Sequence, residues 1–150
     1  MQETPLVTIL LIDDDEGHTE LVRRNLLRCG INNPVVVINS GSKALDFVFC
    51  RGGYASRKNN SAMLILLDIN MPLMDGKSAL REIRADAALK HVPVIILTTS
   101  EREADILEAY QLGVNAFISK PVGLDVFVKT IVLMEEFWLS SVKLPSNFLS

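Results

Sequence analysis

The chain has 150 residues, about the length of one domain, and its 49% hydrophobic and 22% charged residues exclude an intrinsically disordered protein. No apolar run approaches the roughly 20 residues of a membrane span, and a net charge of −3 gives no basic surface for nucleic acid or anionic lipid. The start lacks the basic segment of a signal peptide and the two cysteines form no C-x-x-C motif, so we expect a reduced, cytoplasmic protein.

Short apolar segments alternate with longer amphipathic segments along the whole chain. The apolar ones have strand length and are continuous, which is typical of strands covered on both faces; they are residues 7–12, 35–38, 63–67, 94–97 and 116–118. Helical periodicity predicts helices over residues 19–29, 42–50, 77–85, 102–112 and 124–139. Gly30 and Gly113 are expected to end two of them, and Ser100 with Glu103 resembles a capping box that starts the fourth.

This strict alternation predicts a parallel sheet with helices on both faces, a doubly wound α/β domain of five strands and five helices. We expect an N-terminal extension over residues 1–5, the domain over residues 6–139 and a tail over residues 140–150. The fourth helix is expected to place Ile106, Leu107 and Tyr110 on its apolar stripe. Residues 51–62 are polar and rich in helix breakers, which predicts a long exposed loop.

Polar residues stand where the predicted strands end, and ligands of open α/β sheets bind beyond those carboxyl ends. In chain order they are Asp13, Asp14, Asp15, Asp68, Asn70, Thr98 and Lys120. Carboxylates that converge from two strands repel each other unless a cation lies between them, and Mg²⁺ takes oxygen ligands of this kind. A lysine and a hydroxyl beside them suit the oxygens of a phosphoryl group, so the set predicts phosphoryl transfer to a carboxylate.

Each of these residues also has a purely structural interpretation. The aspartates after the first strand can cap the following helix, and Asp15 taken alone fits a cap better than a metal ligand. Asp68 can start a turn that runs to Gly76, and a lysine before a proline is ordinarily exposed. The functional interpretation depends on all four strand ends carrying such residues together.

Four segments in this order resemble the motifs of response-regulator receiver domains of two-component signalling: LLIDDDE, ILLDINMPLMDG, PVIILTTSE and AFISKPV. The resemblance covers about residues 6–139 and implies a flavodoxin-like (βα)5 fold with strand order 2-1-3-4-5. It implies that Asp68 accepts a phosphoryl group from a histidine kinase. It also implies a Mg²⁺ site formed by Asp13, Asp14, Asp68 and the backbone carbonyl of Asn70.

The same resemblance assigns the remaining site residues. Lys120 resembles the phosphate-pairing lysine, and its bond to Pro121 is expected to be cis. Thr98 resembles the switch hydroxyl, and Phe117 takes the place of the switch aromatic, although it is also a plausible plain core aromatic. The segment MEEFWLSSVKLP resembles the single-domain regulators that partner phytochromes, so the implied kinase is a bacteriophytochrome.

The last predicted helix is apolar on two faces, and such a helix normally buries both. We therefore expect a homodimer through this helix and its Phe137, Trp138 and Leu139 end. The alternative is that the tail, which carries Val142, Leu144 and Phe148, folds back over the helix.

Three other functions are consistent with parts of the sequence. A Mg²⁺-dependent phosphatase of the haloacid-dehalogenase type uses a similar set of residues but leaves Asp68 without a role. A flavin-binding module shares the fold but has a phosphate-binding loop that this chain lacks. The third is a receiver-like interaction protein that never uses phosphate. A receiver is expected to catalyse only its own phosphorylation and dephosphorylation, so we expect no multiple-turnover enzyme.

Overall fold

The computed structural model describes residues 7–28, 30–57, 63–69, 76–86, 89, 91–98, 102–119, 129 and 133. Its elements are, in chain order, β1 (Thr8–Ile12), α1 (Glu16–Arg28), β2 (Val35–Ile38), α2 (Gly41–Val48), a 3-10 helix (Gly52–Tyr54), β3 (Met63–Leu67), α3 (Gly76–Ala85), β4 (Val94–Thr98), α4 (Glu103–Gln111) and β5 (Ala116–Ser119). Lys129 and Leu133 are helical, as predicted, while the rest of the fifth helix lies outside the described residues. So do the predicted extension and tail.

The strands form one parallel sheet in the order β2-β1-β3-β4-β5. Ile12 at the end of β1 lies opposite Ile38 of β2 on one side and Leu67 of β3 on the other, so these three strands end at the same level. This arrangement confirms the predicted doubly wound α/β fold and its strand order. No helix within the described ranges is long and apolar enough to cross a membrane.

The core is divided by the sheet into two apolar layers, because successive residues of a strand point to opposite faces. Leu10 and Ile65 pack in the layer that holds α2 and α3, and Leu64 and Leu66 pack in the layer that holds α1. Every residue of β3 and β4 is buried. The prediction of strands covered on both faces is therefore confirmed for β3 and β4. It is wrong for β2 and β5, which are only partly buried because they lie at the edges of the sheet.

Glycine ends α1 and α4 as predicted. Gly30 and Gly113 have φ values of 80° and 94°, which a side chain disfavours. The amide of Ile31 donates to the carbonyl of Leu26 over 3.0 Å, and the amide of Gly30 donates to the carbonyl of Leu27 over 3.1 Å, which are the two hydrogen bonds of a Schellman motif. Cys50 takes the corresponding position after α2, with a φ of 54°.

The predicted start of the first helix and the predicted capping box of the fourth helix are wrong. The first helix begins at Glu16 rather than at residue 19, because Oδ1 of Asp15 accepts a hydrogen bond from the amide of His18 over 3.1 Å and caps the helix there. The fourth helix begins at Glu103 after Arg102, whose side chain makes no capping hydrogen bond. Glu103 is thus the first helical residue, not the third one that a capping box requires.

The apolar stripe predicted for α4 is also wrong. Asp105 and Ala109 are the buried residues of this helix, whereas Leu107 is 58% exposed and Tyr110 is 50% exposed. The cause is an ion pair between Asp105 and Lys77 of α3, which allows a carboxylate to face inward.

The segment between α2 and β3 is more ordered than an exposed loop, as far as it is described. Residues 52–54 form the 3-10 helix, and the ring of Tyr54 packs edge-on against Phe47 at a centroid distance of 5.1 Å. The guanidinium of Arg57 lies 4.0 Å from the centre of the same Phe47 ring. The prediction of an exposed loop is therefore wrong for residues 54 and 57, and residues 58–62 lie outside the described part.

Arg84 fixes α3 to the amino ends of β4 and β5. Its guanidinium donates to the carbonyls of Val92 and Gly113 and to the side-chain oxygen of Asn115. The same Asn115 oxygen accepts from the amide of Val94 over 2.9 Å. Burial lowers the pKa of Arg84 from its ordinary value. The end of the sheet opposite the strands' carboxyl ends is therefore tied together through one side chain.

Candidate functional site

Backbone hydrogen bonds between strands place Asp13 and Asp68 side by side. The amide of Asp68 donates to the carbonyl of Ile12 over 2.9 Å, directly before Asp13. The amide of Asp13 donates in turn to the carbonyl of Ile38 over 3.1 Å. Each aspartate thus continues the ladder by one residue beyond its strand, which holds both at the same edge of the sheet.

Three carboxylates meet at this edge. Oxygen atoms of Asp13, Asp14 and Asp68 all lie within 4.8 Å of one another. Asp13 is 4% exposed and Asp68 is 8% exposed, whereas Asp14 is open to solvent. We name these three residues the aspartate cluster. Its two inner carboxylates are desolvated, and its outer one can be approached from outside.

Asp15 supports this site through its hydrogen bonds and is not a member of the aspartate cluster. Its amide donates to Oδ1 of Asp13 over 2.9 Å, and its own side chain caps α1 and lies 3.1 Å from Nδ1 of His18. The hydrogen bond from Asp15 orients the carboxylate of Asp13. The sequence interpretation of Asp15 as a cap is therefore confirmed.

The donor chemistry of the aspartate cluster fits a hard divalent cation. Like charges at this spacing repel each other, and two of them are removed from water, so a positive charge between them is stabilising. Mg²⁺ and Mn²⁺ prefer carboxylate and carbonyl oxygen ligands. Among the described residues, this is the cluster of acidic, histidine or cysteine side chains whose atoms converge closely enough to hold such an ion.

Thr98 and Phe117 lie on the neighbouring strands. Thr98 is the last residue of β4, one residue later than the predicted strand end, and its side chain is fully buried. Phe117 lies in the middle of β5 and is half-buried against the core layer of α2 and α3. Its amide donates to the hydroxyl of Tyr110 on α4 over 3.2 Å. Phe117 is therefore neither a fully buried core residue nor a fully exposed one.

The remaining predicted site residues lie outside the described part of the chain. They are Asn70, Lys120 with Pro121, and the predicted interface residues Phe137, Trp138 and Leu139. The structure therefore brings together the aspartate cluster. It places Thr98 on β4, next to β3, and Phe117 on β5, one strand further away.

Gly76 is a residue of this site that the sequence interpretation treated only as the end of a turn. It is the first residue of α3, and a Cβ atom there would lie 2.4 Å from the carbonyl oxygen of Asp68 and 2.8 Å from Cα of Ile69. Such distances are shorter than any normal contact, so only glycine permits this approach. The sequence did contain a signal for this contact, namely a glycine next to the predicted start of the third helix, shortly after Asp68.

A cavity of about 250 Å³ opens beside Asp13, between α1 and the end of β2. Its lining includes Glu16, Asn39, Lys43 and Tyr54. Sequence reasoning missed it because Tyr54 belongs to the segment predicted as an exposed loop. The packing of Tyr54 on Phe47 supplies one wall of this cavity, so the segment after α2 shapes the surroundings of the aspartate cluster.

Comparison with known proteins agrees with this geometry. The family model of the response regulator receiver domain matches residues 9–132. Response regulator Rcp1 of Synechocystis sp. is 34% identical over 145 residues, which are 97% of this chain and 97% of that protein.

The solved structures that are similar over almost the whole chain include two response regulators. The Mn(2+)-bound form of response regulator Rcp1 has a TM-score of 0.84 and 36% identity, covering 93% of this chain and 99% of that one. The phosphorylated cyanobacterial phytochrome response regulator RcpA has a TM-score of 0.87 and 36% identity, covering 94% and 99%. With its sheet order, its aspartate cluster and these matches, the chain belongs to the response-regulator receiver domain family.

Proposed function

We propose that this receiver domain accepts a phosphoryl group from a histidine kinase onto Asp68 and thereby switches a surface that other proteins bind. The observation that carries the proposal is the position of Asp68 within 4.8 Å of Asp13 and Asp14 at the carboxyl edge of the sheet. A single carboxylate would repel the negatively charged phosphoryl group. Three carboxylates at this spacing can bind a divalent cation, and its charge offsets that repulsion.

Asp13, Asp14, Asp68 and the carbonyl of Asn70 are the groups proposed to hold Mg²⁺. When bound, the ion supplies positive charge that offsets the repulsion between the cluster and the phosphoryl oxygens. An oxygen of Asp68 attacks the phosphorus in line; a P–O bond forms while the P–N bond to the kinase histidine breaks and its electron pair returns to the imidazole nitrogen. Lys120 is proposed to pair with one phosphoryl oxygen of the product.

Thr98 and Phe117 are proposed to carry the signal away from Asp68. Thr98 is fully buried in the structure, so its hydroxyl has to move to donate to a phosphoryl oxygen. That movement changes the packing around the half-buried Phe117 on the adjacent strand. The phosphoryl group thus favours one of two arrangements by giving it an additional contact.

The proposed phosphodonor is a bacteriophytochrome, in the cytoplasm. Support comes from RcpA, which is named as a phytochrome response regulator and aligns with 94% of this chain. The receiver family membership favours this function over the haloacid-dehalogenase-type phosphatase, and we propose a single self-phosphorylation rather than turnover of phosphate esters. The site does not favour the flavin-binding alternative. Its described residues place carboxylates at the position where a loop would have to bind the flavin phosphate.

The test is to incubate the full chain and Mg²⁺ with the phosphorylated core of a phytochrome-type histidine kinase, and to measure intact mass. One phosphoryl group per chain is expected on the parent and none on Asp68→Asn. Asp15→Asn is the matched control, because it removes an adjacent charge but keeps the oxygen that caps α1, and it should be labelled like the parent.

Labelling of Asp68→Asn would contradict the assignment of the acceptor, and repeated hydrolysis of a generic phosphate ester by the parent would favour the phosphatase. A second kinase core, from a sensor unrelated to phytochromes, addresses the partner. Equal transfer rates from both cores would remove the support for a phytochrome.

We also propose a homodimer through the last helix and its Phe137, Trp138 and Leu139 end. Support comes from Leu133, which is 60% exposed on this helix. The full-length double variant Phe137→Ser/Trp138→Ser is expected to sediment as a monomer where the parent sediments as a dimer. Leu107→Ser, which removes an exposed leucine from α4, is the control and should leave the dimer intact. A monomeric parent, or an unchanged dimer in the double variant, would refute this interface.

A further inference from the structure

Four charged side chains join α3 to α4. Nζ of Lys77 lies 2.9 Å from Oδ1 of Asp105 and 2.9 Å from Oε2 of Glu108. The guanidinium of Arg81 lies 3.0 Å from the other oxygen of Glu108. We name Lys77, Arg81, Asp105 and Glu108 the α3–α4 ion cluster.

Lys77 is the central member of this cluster. The side chains of Lys77 and Asp105 are 21% and 12% exposed, whereas Arg81 is 55% exposed. The hydrogen bonds that Lys77 donates, first to Glu108 and then to Asp105, raise its pKa even though burial acts in the opposite direction. Lys77 is therefore charged and paired with two carboxylates at once, while the contact of Arg81 is an ordinary surface pair of small energetic weight.

The ion cluster joins the starts of the two helices that follow Asp68 and Thr98 in the chain. Lys77 directly follows Gly76, which packs against the carbonyl of Asp68. Asp105 lies in the first turn of α4, and α4 begins only a few residues after Thr98. A displacement of Thr98 toward Asp68 therefore acts on α4 through a short connection, and the bonds of Lys77 oppose it.

Of the two helices, α3 is the fixed one. Gly76 holds its start against Asp68, and Arg84 holds its end against the carbonyls of Val92 and Gly113. Gly113 lies just beyond the end of α4, so Arg84 also anchors the end of α4, and movement between the helices consequently falls on the start of α4, where Asp105 lies. A contact made in only one of two arrangements shifts the equilibrium toward that arrangement.

We infer that Lys77 is a positioning residue: its bonds to Asp105 and Glu108 hold α4 in the resting arrangement and thereby set how readily Thr98 reaches a phosphoryl group on Asp68. This inference rests on the proposed function of Asp68. Beyond that function, it assigns to Lys77 the control of the equilibrium between the resting and the phosphorylated arrangement.

The test uses the full chain with Mg²⁺ and beryllofluoride, an analogue of the phosphoryl group, with binding followed by fluorine NMR. Lys77→Met removes the charge but keeps a long side chain, and it should bind the analogue about three- to tenfold more tightly than the parent. Lys77→Arg should restore the parent affinity. Arg81→Met is the matched control and should leave the affinity unchanged, because it removes only the exposed ion pair.

Amide hydrogen exchange in the absence of the analogue provides a second measurement. Residues 105–111 should exchange faster in Lys77→Met than in Arg81→Met, because α4 has lost the two bonds that Lys77 donates to Asp105 and Glu108. Asp105→Asn, which keeps the shape of the side chain, replaces Lys77→Met if that variant does not fold.

The possible outcomes separate the inference from the function on which it rests. Unchanged or weaker binding of the analogue by Lys77→Met, or unchanged exchange of α4, overturns the role of Lys77. Failure of the parent chain to bind beryllofluoride at all overturns the proposed function of Asp68 and the coupling with it.

Discussion

Asp13→Asn is expected to make the metal-free protein more stable by about 1 kcal/mol and to weaken Mg²⁺ binding at least about tenfold. Asp13 is almost fully buried, and its carboxylate lies within 4.8 Å of the carboxylates of Asp14 and Asp68. Without a cation these charges repel each other, so removing one of them stabilises the fold. Asparagine keeps the oxygen that accepts the hydrogen bond from the amide of Asp15.

Urea unfolding with EDTA and with saturating Mg²⁺ measures both effects in one experiment. When the Mg²⁺ concentration exceeds Kd, the free energy of unfolding of the parent rises with the logarithm of that concentration. This rise should largely disappear in Asp13→Asn. Glu82→Gln removes a charge from the exposed side of α3 and should change neither quantity. An unaltered response to Mg²⁺ in Asp13→Asn would mean that the cluster is not the metal site.

Gly76→Ala is expected to lower the free energy of unfolding by about 2–3 kcal/mol. The new Cβ would lie 2.4 Å from the carbonyl oxygen of Asp68 and 2.8 Å from Cα of Ile69, and both are backbone atoms that cannot rotate away. The start of α3 must therefore move off the strand end, which also displaces Asp68. We expect phosphorylation of this variant to be slower than that of the parent, in addition to the loss of stability.

Gly53→Ala is the matched control for this substitution. Gly53 lies in the 3-10 helix after α2, and a Cβ there meets nothing within 4 Å. Its free energy of unfolding should remain within about 0.5 kcal/mol of the parent value in chemical denaturation. Comparable losses in the two variants would contradict the role of the contact with Asp68, because the lower entropy of the unfolded chain by itself makes Gly→Ala stabilising in a helix.

The sheet and the aspartate cluster could be predicted because each depends on short-range patterns and on one topological rule. Continuous apolar runs indicated β1, β3 and β4 to within one residue of their observed bounds. Once the strands are parallel, residues that follow different strands necessarily meet at one edge. Asp13 and Asp68 are brought together in this way although they are far apart along the chain.

The orientation of α4 could not be predicted, because it depends on a contact between distant residues. Helical periodicity placed the large apolar side chains Leu107 and Tyr110 inward, as it does for most amphipathic helices. The inward position of Asp105 is explained by its ion pair with Lys77 of α3, which pattern analysis of a single helix cannot detect. The cavity beside Asp13 was missed for a similar reason, since its Tyr54 wall depends on ring packing with Phe47.

The strand order also has a consequence for biosynthesis. As the ribosome extends the chain, β1 finds β2 as its first neighbour, but its other edge is completed only when β3 emerges much later. During that interval the nascent polypeptide displays an open edge built from buried-type residues such as Leu10 and Leu11, and such an edge pairs readily with other chains. A translational pause between β2 and β3 would therefore prolong a stage of synthesis at which this edge is open to aggregation.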